Sequence, residues 1–284
     1  GIGMLVNIKG KRTHGLISDS LKVLTNLTHR AGVGAEPDSG DGAGILFQMP
    51  HKFMRKACAG CGIKLPRDGE YGVAMMFVSP DRERRAQTLE MFKGIVENEG
   101  LEELGVRVVP TYPDAIGNAA RNACPAIRQV FIRRPKEMSC ADFERKLYVV
   151  SKLAVKQIRD VKYLVSDPYF YLASISSRTI VYKGMLVPRQ MAEFYVDLKD
   201  EDMESAIALV HSRYSTNTFP SWERAHPIQY LIHNGEINTI RGNVNWIKAR
   251  ESLLISDKFG DDLKKVLPII NEDGSDSAML DDFL

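Results

Sequence analysis

The stretch "HNGEINTIRGN", residues 233–243, gathers a histidine, three asparagines, two glycines and a glutamate directly after the apolar "YLI". Asn-Gly is a strong signal for a tight turn, because both residues accept the positive φ that such turns need. The same pair has a second use. The side-chain amide of Asn234 and the open backbone N–H of Gly235, aimed at one point, would hold an oxygen that becomes negatively charged during reaction. Two other stretches supply complementary groups. In "HSRYSTNTFPSWERAHP" (211–227), His211 ends an apolar run, and Arg213 stands two positions on, so that both point to one face if the strand continues. In "DGSDSAML" (273–280), Asp276 opens a short helical pattern. A fixed guanidinium, hydroxyls, an amide and a carboxylate are the groups that hold an amino-acid zwitterion: arginine grips the α-carboxylate bidentately and aspartate receives the α-ammonium. Each has a plain structural alternative: a hairpin turn, a core histidine, a surface arginine, a helix-capping aspartate.

Two further patterns promise less. "SGDGAG" (39–44) has the glycines of a phosphate loop, but strand-like "ILFQMP" follows it, with no helix to hold an anion and no Lys-Ser/Thr pair. It reads as a structural turn. Cys58 and Cys61 form C-A-G-C without a second ligand pair, so buried or surface thiols are expected, and no metal site.

The elements that must position these groups are an α/β mixture. Strand-like runs fall at 1–8, 44–49, 71–78, 106–112, 126–134, 171–184 (two runs joined by "SSR", resembling a hairpin), 206–215 and 229–233. Helical spacing is clearest for Phe143, Leu147, Val150, Ala154 and Ile158, and again for Leu89, Phe92, Ile95 and Val96. Ser18 or Asp19 is a candidate cap for a helix carrying Leu21, Leu24 and Leu27. Several strands follow one another without an intervening helix, which favours antiparallel sheets with helices on their faces over a doubly wound parallel sheet.

Composition narrows the class. Of 284 residues, 44% are hydrophobic and 26% charged, an ordinary globular mixture, and the formal net charge of +2 leaves no basic field for nucleic acid. "DRERR" (81–85) reads as a solvated helix face. No apolar run approaches the roughly 20 residues needed to span a bilayer, and the start lacks the order of a secretion signal. The expected location is the cytoplasm or an organellar stroma. Four cysteines are too few for a disulfide framework at this length. "GSDSAMLDDFL" starts as a capped helix and stops after about two turns, so 1–284 is expected to be one domain of a longer chain.

Taken together, "GIGMLVNIKG", "HRAGVGAEPDSGDGAGILFQMP" (29–50), "HSRYSTNTFPSWERAHPIQYLIHNGEINTIRGNVNWIKARE" (211–251) and "DGSDSAMLD" (273–281) resemble the N-terminal glutaminase domain of glutamate synthases, within the class II, or N-terminal-nucleophile, glutamine amidotransferases. The motifs occur in order along almost the whole sequence, and "TNTFPSW" is specific to the glutamate synthase branch. The resemblance implies an α+β, four-layer αββα fold with two stacked antiparallel sheets, and hydrolysis of L-glutamine to glutamate and ammonia. It assigns Asn234 and Gly235 to the oxyanion hole and Arg213, Thr216 and Asp276 to substrate binding, with no metal. It also implies no cofactor in this segment, and FMN and an iron–sulfur cluster in the rest of the enzyme. There a flavin-containing domain combines the ammonia with 2-oxoglutarate, and NAD(P)H through a linked subunit, or ferredoxin, supplies electrons.

Members of that family begin, after processing, with a cysteine followed by glycine, an apolar residue and glycine; here the sequence opens Gly1, Ile2, Gly3. A terminal cysteine supplies the thiolate, and its own α-amine, with a pKa near ~8, supplies the base. None of Cys58, Cys61, Cys124 and Cys140 stands at that place. A cysteine directly before Gly1 is therefore expected in the active protein. The competing expectations are a catalytically dead glutamine-binding or regulatory module and, less favoured, a nucleotide-binding domain built on "SGDGAG".

Overall fold

The computed structural model describes residues 1–30, 36, 38–159, 167, 169–213, 220–235 and 237–284. Among these, the strands are β1 (Ile2–Val6), β2 (Ala43–Gln48), β3 (Tyr71–Val78), β4 (Glu102–Val108), β5 (Ala126–Arg133), β6 (Tyr171–Ser176), β7 (Thr179–Gly184) and β8 (Ile207–Ser212). The helices are α1 (His14–Asn26), α2 (His51–Ala59), α3 (Arg82–Asn98), α4 (Asn118–Asn122), α5 (Cys140–Ala154), α6 (Met191–Phe194), α7 (Ile240–Glu251), α8 (Leu263–Val266) and α9 (Asp276–Phe283). Two four-stranded antiparallel sheets form, with strand orders β1-β8-β2-β7 and β4-β5-β3-β6. They stack, with helices packed against them, as an α+β fold of the N-terminal-nucleophile type.

Four of the helices, α1, α3, α5 and α9, start at hydroxyl or carboxylate caps. Asp81 accepts from the Arg84 N–H at 2.9 Å and Ser139 from the Asp142 N–H at 3.1 Å, each satisfying a donor that the first turn leaves unpaired. Phe143, Leu147, Val150 and Ala154 on α5, with Phe92, Ile95 and Val96 on α3, are buried against Ala74, Met76, Val130 and Ile132 of the second sheet. Truncating one such large side chain to alanine costs about 2–5 kcal/mol. A Cβ on Gly72 would stand 2.7 Å from Leu147 Cδ1, so the glycine sets how closely α5 approaches β3.

The two sheets are joined by a buried polar cluster. Arg107 of β4 grips Asp197 with both guanidinium nitrogens at 2.7 and 2.8 Å, and also donates to Gln129 of β5. The Tyr182 hydroxyl of β7 donates to the same aspartate at 3.0 Å and accepts from Gln129. Burying the ion pair is tolerable because its oxygens and N–H groups have partners; deleting one member alone would leave a buried charge, at about 3–5 kcal/mol.

Several sequence expectations need correction. α1 begins at His14, with Thr13 as the cap accepting from Leu16, so Ser18 and Asp19 lie inside it. β4 starts at Glu102, earlier than the apolar run 106–112 suggested. β6 and β7 follow one another through a short turn, yet β6 belongs to the second sheet and β7 to the first, so the pair is a crossover between sheets and not a hairpin ladder. Residues 229–233 form no strand: the N–H groups of Gln229, Tyr230 and Leu231 turn to the Asp281 carboxylate instead. The glycines of "SGDGAG" serve close approach. A Cβ on Gly40 would meet the Leu186 carbonyl carbon at 2.2 Å, and one on Gly44 would meet the His226 oxygen at 2.4 Å.

Candidate functional site

The site is built around the end of β8. β1 runs antiparallel to β8 with Ile2 opposite His211, and the ladder closes at Gly1, whose amine donates to the Ser212 carbonyl at 2.6 Å and whose carbonyl accepts from the Ser212 N–H at 2.8 Å. A Cβ on Gly3 would stand 2.8 Å from Val23, so this glycine lets α1 lie against the strand. β8 stops at Ser212, and Arg213 takes φ 100°, a left-handed conformation that side chains rarely adopt. The strand therefore does not continue through Arg213, and the two side chains do not share a face: His211 is buried and Arg213 exposed. The Arg213 N–H is held by the Gly42 carbonyl at 2.8 Å. Burial raises the pKa of Asp41, and the positive charge of Arg213 partly counters that. Arg213 forms no ion pair among the described residues. Backbone strain of this kind persists only where the surroundings enforce it, and it gathers at functional positions.

The loop bearing Asn234 and Gly235 arrives from the other side. His211 donates through Nε2 to the His233 carbonyl at 2.8 Å. His233 in turn shares a hydrogen bond of 3.1 Å between its Nδ1 and the Ser277 hydroxyl in the first turn of α9. Gly235 has φ 130°, and nothing lies within 4 Å of where its Cβ would be, so its backbone is open to approach. Asn234 is exposed. No hairpin encloses this Asn-Gly pair among the described residues, so the plain turn explanation does not account for it.

α9 supplies the last candidate. Its cap is Ser275, which accepts from the Ala278 N–H at 3.3 Å; Asp276 is the first helical residue, not the cap. The capping role allowed for Asp276 from sequence is thus taken by its neighbour, and the Asp276 carboxylate makes no hydrogen bond or ion pair among the described residues. Further along, Asp281 accepts the backbone N–H groups of Gln229, Tyr230 and Leu231 at 3.2, 2.8 and 2.9 Å. Burial nevertheless pushes its pKa up to about 6. α9 therefore carries Asp276 and also fixes the approach to the 233–235 loop.

His211, His233 and Ser277, the sequence neighbours of Arg213, Asn234 and Asp276, are thus joined by hydrogen bonds. Thr216 lies outside the described residues. Trp222 donates from Nε1 to the Ala120 carbonyl at 3.1 Å and packs on Phe77 and Phe194.

Sequence reasoning missed the supporting groups. His226 stacks on His211 with ring centroids 4.4 Å apart, and burial lowers the pKa of His211 to about 4 and of His226 to about 2, so both are neutral imidazoles near pH 7. Lys183, wholly buried, donates to the Tyr171 hydroxyl at 3.0 Å and the Glu223 carbonyl at 2.9 Å, and desolvation lowers its pKa to about 7. The only signal in the sequence was a density of histidines in 211–233. A cavity of about 370 Å³ opens between α5, residues 223–230 and α9, but none of the four placed candidates lines it. Among the described residues no three His, Cys, Asp or Glu side chains gather as metal ligands, and Cys58, Cys61, Cys124 and Cys140 are free thiols.

Comparison with known proteins bears on the same residues. The family profile described as "Glutamine amidotransferases class-II" matches residues 1–284. The chain is similar to the glutamate synthase (NADPH) large chain of Bacillus subtilis (strain 168), 50% identical over 283 residues, covering 99% of this chain and 18% of that protein. It is similar to glutamate synthase (NADH) of Schizosaccharomyces pombe, 41% identical over 290 residues, covering 100% of this chain and 14% of that one. It is also similar to ferredoxin-dependent glutamate synthase 1, chloroplastic/mitochondrial, of Arabidopsis thaliana, 39% identical over 281 residues and 17% of its length. The chain thus spans less than a fifth of these relatives. With its profile matched from end to end, this chain belongs to the class-II glutamine amidotransferases.

Proposed function

We propose that residues 1–284 are the glutaminase unit of a glutamate synthase, hydrolysing L-glutamine and passing the ammonia to another part of a larger enzyme. The observation that supports this most is the bridge from β8 through His211, the His233 carbonyl and the His233 ring to Ser277. It links the sequence neighbours of Arg213, Asn234 and Asp276, which supports reading a guanidinium, an amide with an open N–H beside it, and a carboxylate as parts of one site. In this reading the α-carboxylate of glutamine binds Arg213 and its α-ammonium binds Asp276, with Thr216 beside them. A cysteine preceding Gly1 attacks the side-chain amide, its thiol proton taken by its own α-amine. Because β1 runs antiparallel to β8 with Ile2 opposite His211, a residue preceding Gly1 would, in this reading, lie near the end of β8, just before Arg213. The oxygen that becomes negative is received by the Asn234 amide and the Gly235 N–H, the C–N bond breaks with the proton going to the leaving ammonia, and water then releases glutamate from the thioester.

The ammonia acceptor in this reading is 2-oxoglutarate in a flavin-containing domain, with electrons from NAD(P)H through a linked subunit or from ferredoxin, and the enzyme works in the cytoplasm or a stroma. Among the described residues no group of three or more His, Cys, Asp or Glu gathers that could hold an iron–sulfur cluster. No helix among the described residues is long and apolar enough to cross a membrane. The test is glutamate release from glutamine by protein carrying a cysteine before Gly1. Turnover is expected. Glutamine binding without turnover would instead leave an inactive binding module.

A further inference from the structure

Asn234 and Gly235 have no hydrogen-bonded side-chain anchor of their own among the described residues, yet an oxyanion hole works only if its donors are fixed before the charge develops. What fixes them must act on the residues next to them. The nearest anchored atoms are those of His233: its carbonyl receives His211 Nε2 at 2.8 Å and its ring meets Ser277 at 3.1 Å. The His233 carbonyl and the Asn234 N–H belong to one rigid peptide plane, so holding the oxygen sets the plane from which Asn234 and Gly235 depart.

His211 is placed for that task at some cost. A carbonyl oxygen only accepts, so Nε2 carries the proton and Nδ1 is left as an acceptor. That Nδ1 is buried beside the Arg213 backbone, and among the described residues neither it nor the neighbouring Ser212 hydroxyl makes a hydrogen bond of good geometry. A buried acceptor without a partner is unfavourable by about 1–3 kcal/mol, and an apolar ring of the same size stacked on His226 would avoid it. Packing alone thus gives no reason for an imidazole here. The Nε2 donor does.

We propose that His211 is a positioning residue of the glutaminase reaction: through its Nε2–H it holds the His233 carbonyl and thereby orients the Asn234 and Gly235 donors. It touches neither substrate nor nucleophile. This rests on the glutaminase reading above, and the experiment separates the two.

The enzyme, carrying a cysteine before Gly1, is compared with its His211→Phe and His211→Gln variants for kcat, KM for glutamine and thermal unfolding. Glutamine's amide nitrogen reaches the place of Nε2; phenylalanine keeps the ring and removes the donor. Misplacing reacting groups by about 1 Å costs on the order of 10²-fold, so His211→Phe is expected to lose ~10- to 100-fold in kcat with KM changed less than ~3-fold, and His211→Gln to recover most of the loss. Near-normal turnover by His211→Phe, or equal loss in both variants, overturns the proposal while leaving the glutaminase reading intact. A parent enzyme that releases no glutamate overturns the glutaminase reading itself. If His211→Phe does not fold, His211→Asn takes its place: its amide reaches only the position of Nδ1, so it should lose turnover where His211→Gln keeps it, and equal behaviour of the two overturns the proposal.

Discussion

Replacing Asp276 by asparagine separates binding from folding, because the structure assigns the capping work to another residue. Ser275, not Asp276, accepts the Ala278 N–H at the start of α9. What Asp276 gives the helix is only a negative charge in its first turn, a contribution of about 0.3–1 kcal/mol. For a protein of this size that corresponds to a fall in Tm of roughly 1–4 °C. Its proposed contact with the substrate ammonium is a charge-assisted bond of roughly 1.5–3 kcal/mol, so the same substitution should weaken glutamine capture ~10- to 100-fold. Ser275→Ala is the internal control. It removes the cap, costing about 1 kcal/mol in stability, and should leave KM within ~3-fold of the parent, since the carboxylate stays. Steady-state glutaminase kinetics and thermal unfolding on protein carrying a cysteine before Gly1 give both quantities. A KM for Asp276→Asn indistinguishable from the parent would refute the reasoning and remove Asp276 from the site.

Asn234→Ala should lower kcat by ~10²- to 10³-fold with a smaller change in KM, as expected for a donor that strengthens only in the transition state; a variant that melts early but turns over normally would contradict it. Arg213 at φ 100° carries strain of about 1–3 kcal/mol, so Arg213→Gly should raise Tm by a few degrees while abolishing glutamine binding. Unchanged binding, by calorimetry or KM, would exclude the guanidinium from the site. The buried His226 has a folded pKa of about 2 against 6.5 unfolded. Because the folded value is depressed, its contribution to stability is full above pH 6.5 and is lost as pH falls through the window below it. By pH 5 the loss is about 2 kcal/mol, and comparing the pH 7 to pH 5 drop in Tm of the parent with that of His226→Gln should show a shallower slope in the variant.

Much of the molecule was settled by sequence alone. β3 was placed to the residue, and α3 and α5 were found because their apolar residues repeat at the helical period, a local property that needs no partner to be seen. The site candidates came from the same kind of local pattern, an Asn-Gly pair, an arginine after a strand and an aspartate opening a helix, and they stand as proposals. What only the tertiary structure decided depends on residues far apart in the chain. Residues 229–233 read as a strand-like apolar run, but Gln229, Tyr230 and Leu231 give their N–H groups to Asp281, some fifty positions away, and no local pattern predicts that carboxylate. The run into Arg213 reads as continued strand, yet its backbone turns left-handed where the Gly42 carbonyl holds it. The partners of His211, from His226 beside its ring to the His233 carbonyl, meet only when β8, the 223–235 segment and α9 close on one another. Periodicity reports which face of an element is buried; it carries no information on which distant polar group satisfies a buried donor, and at this site those distant pairings set the geometry.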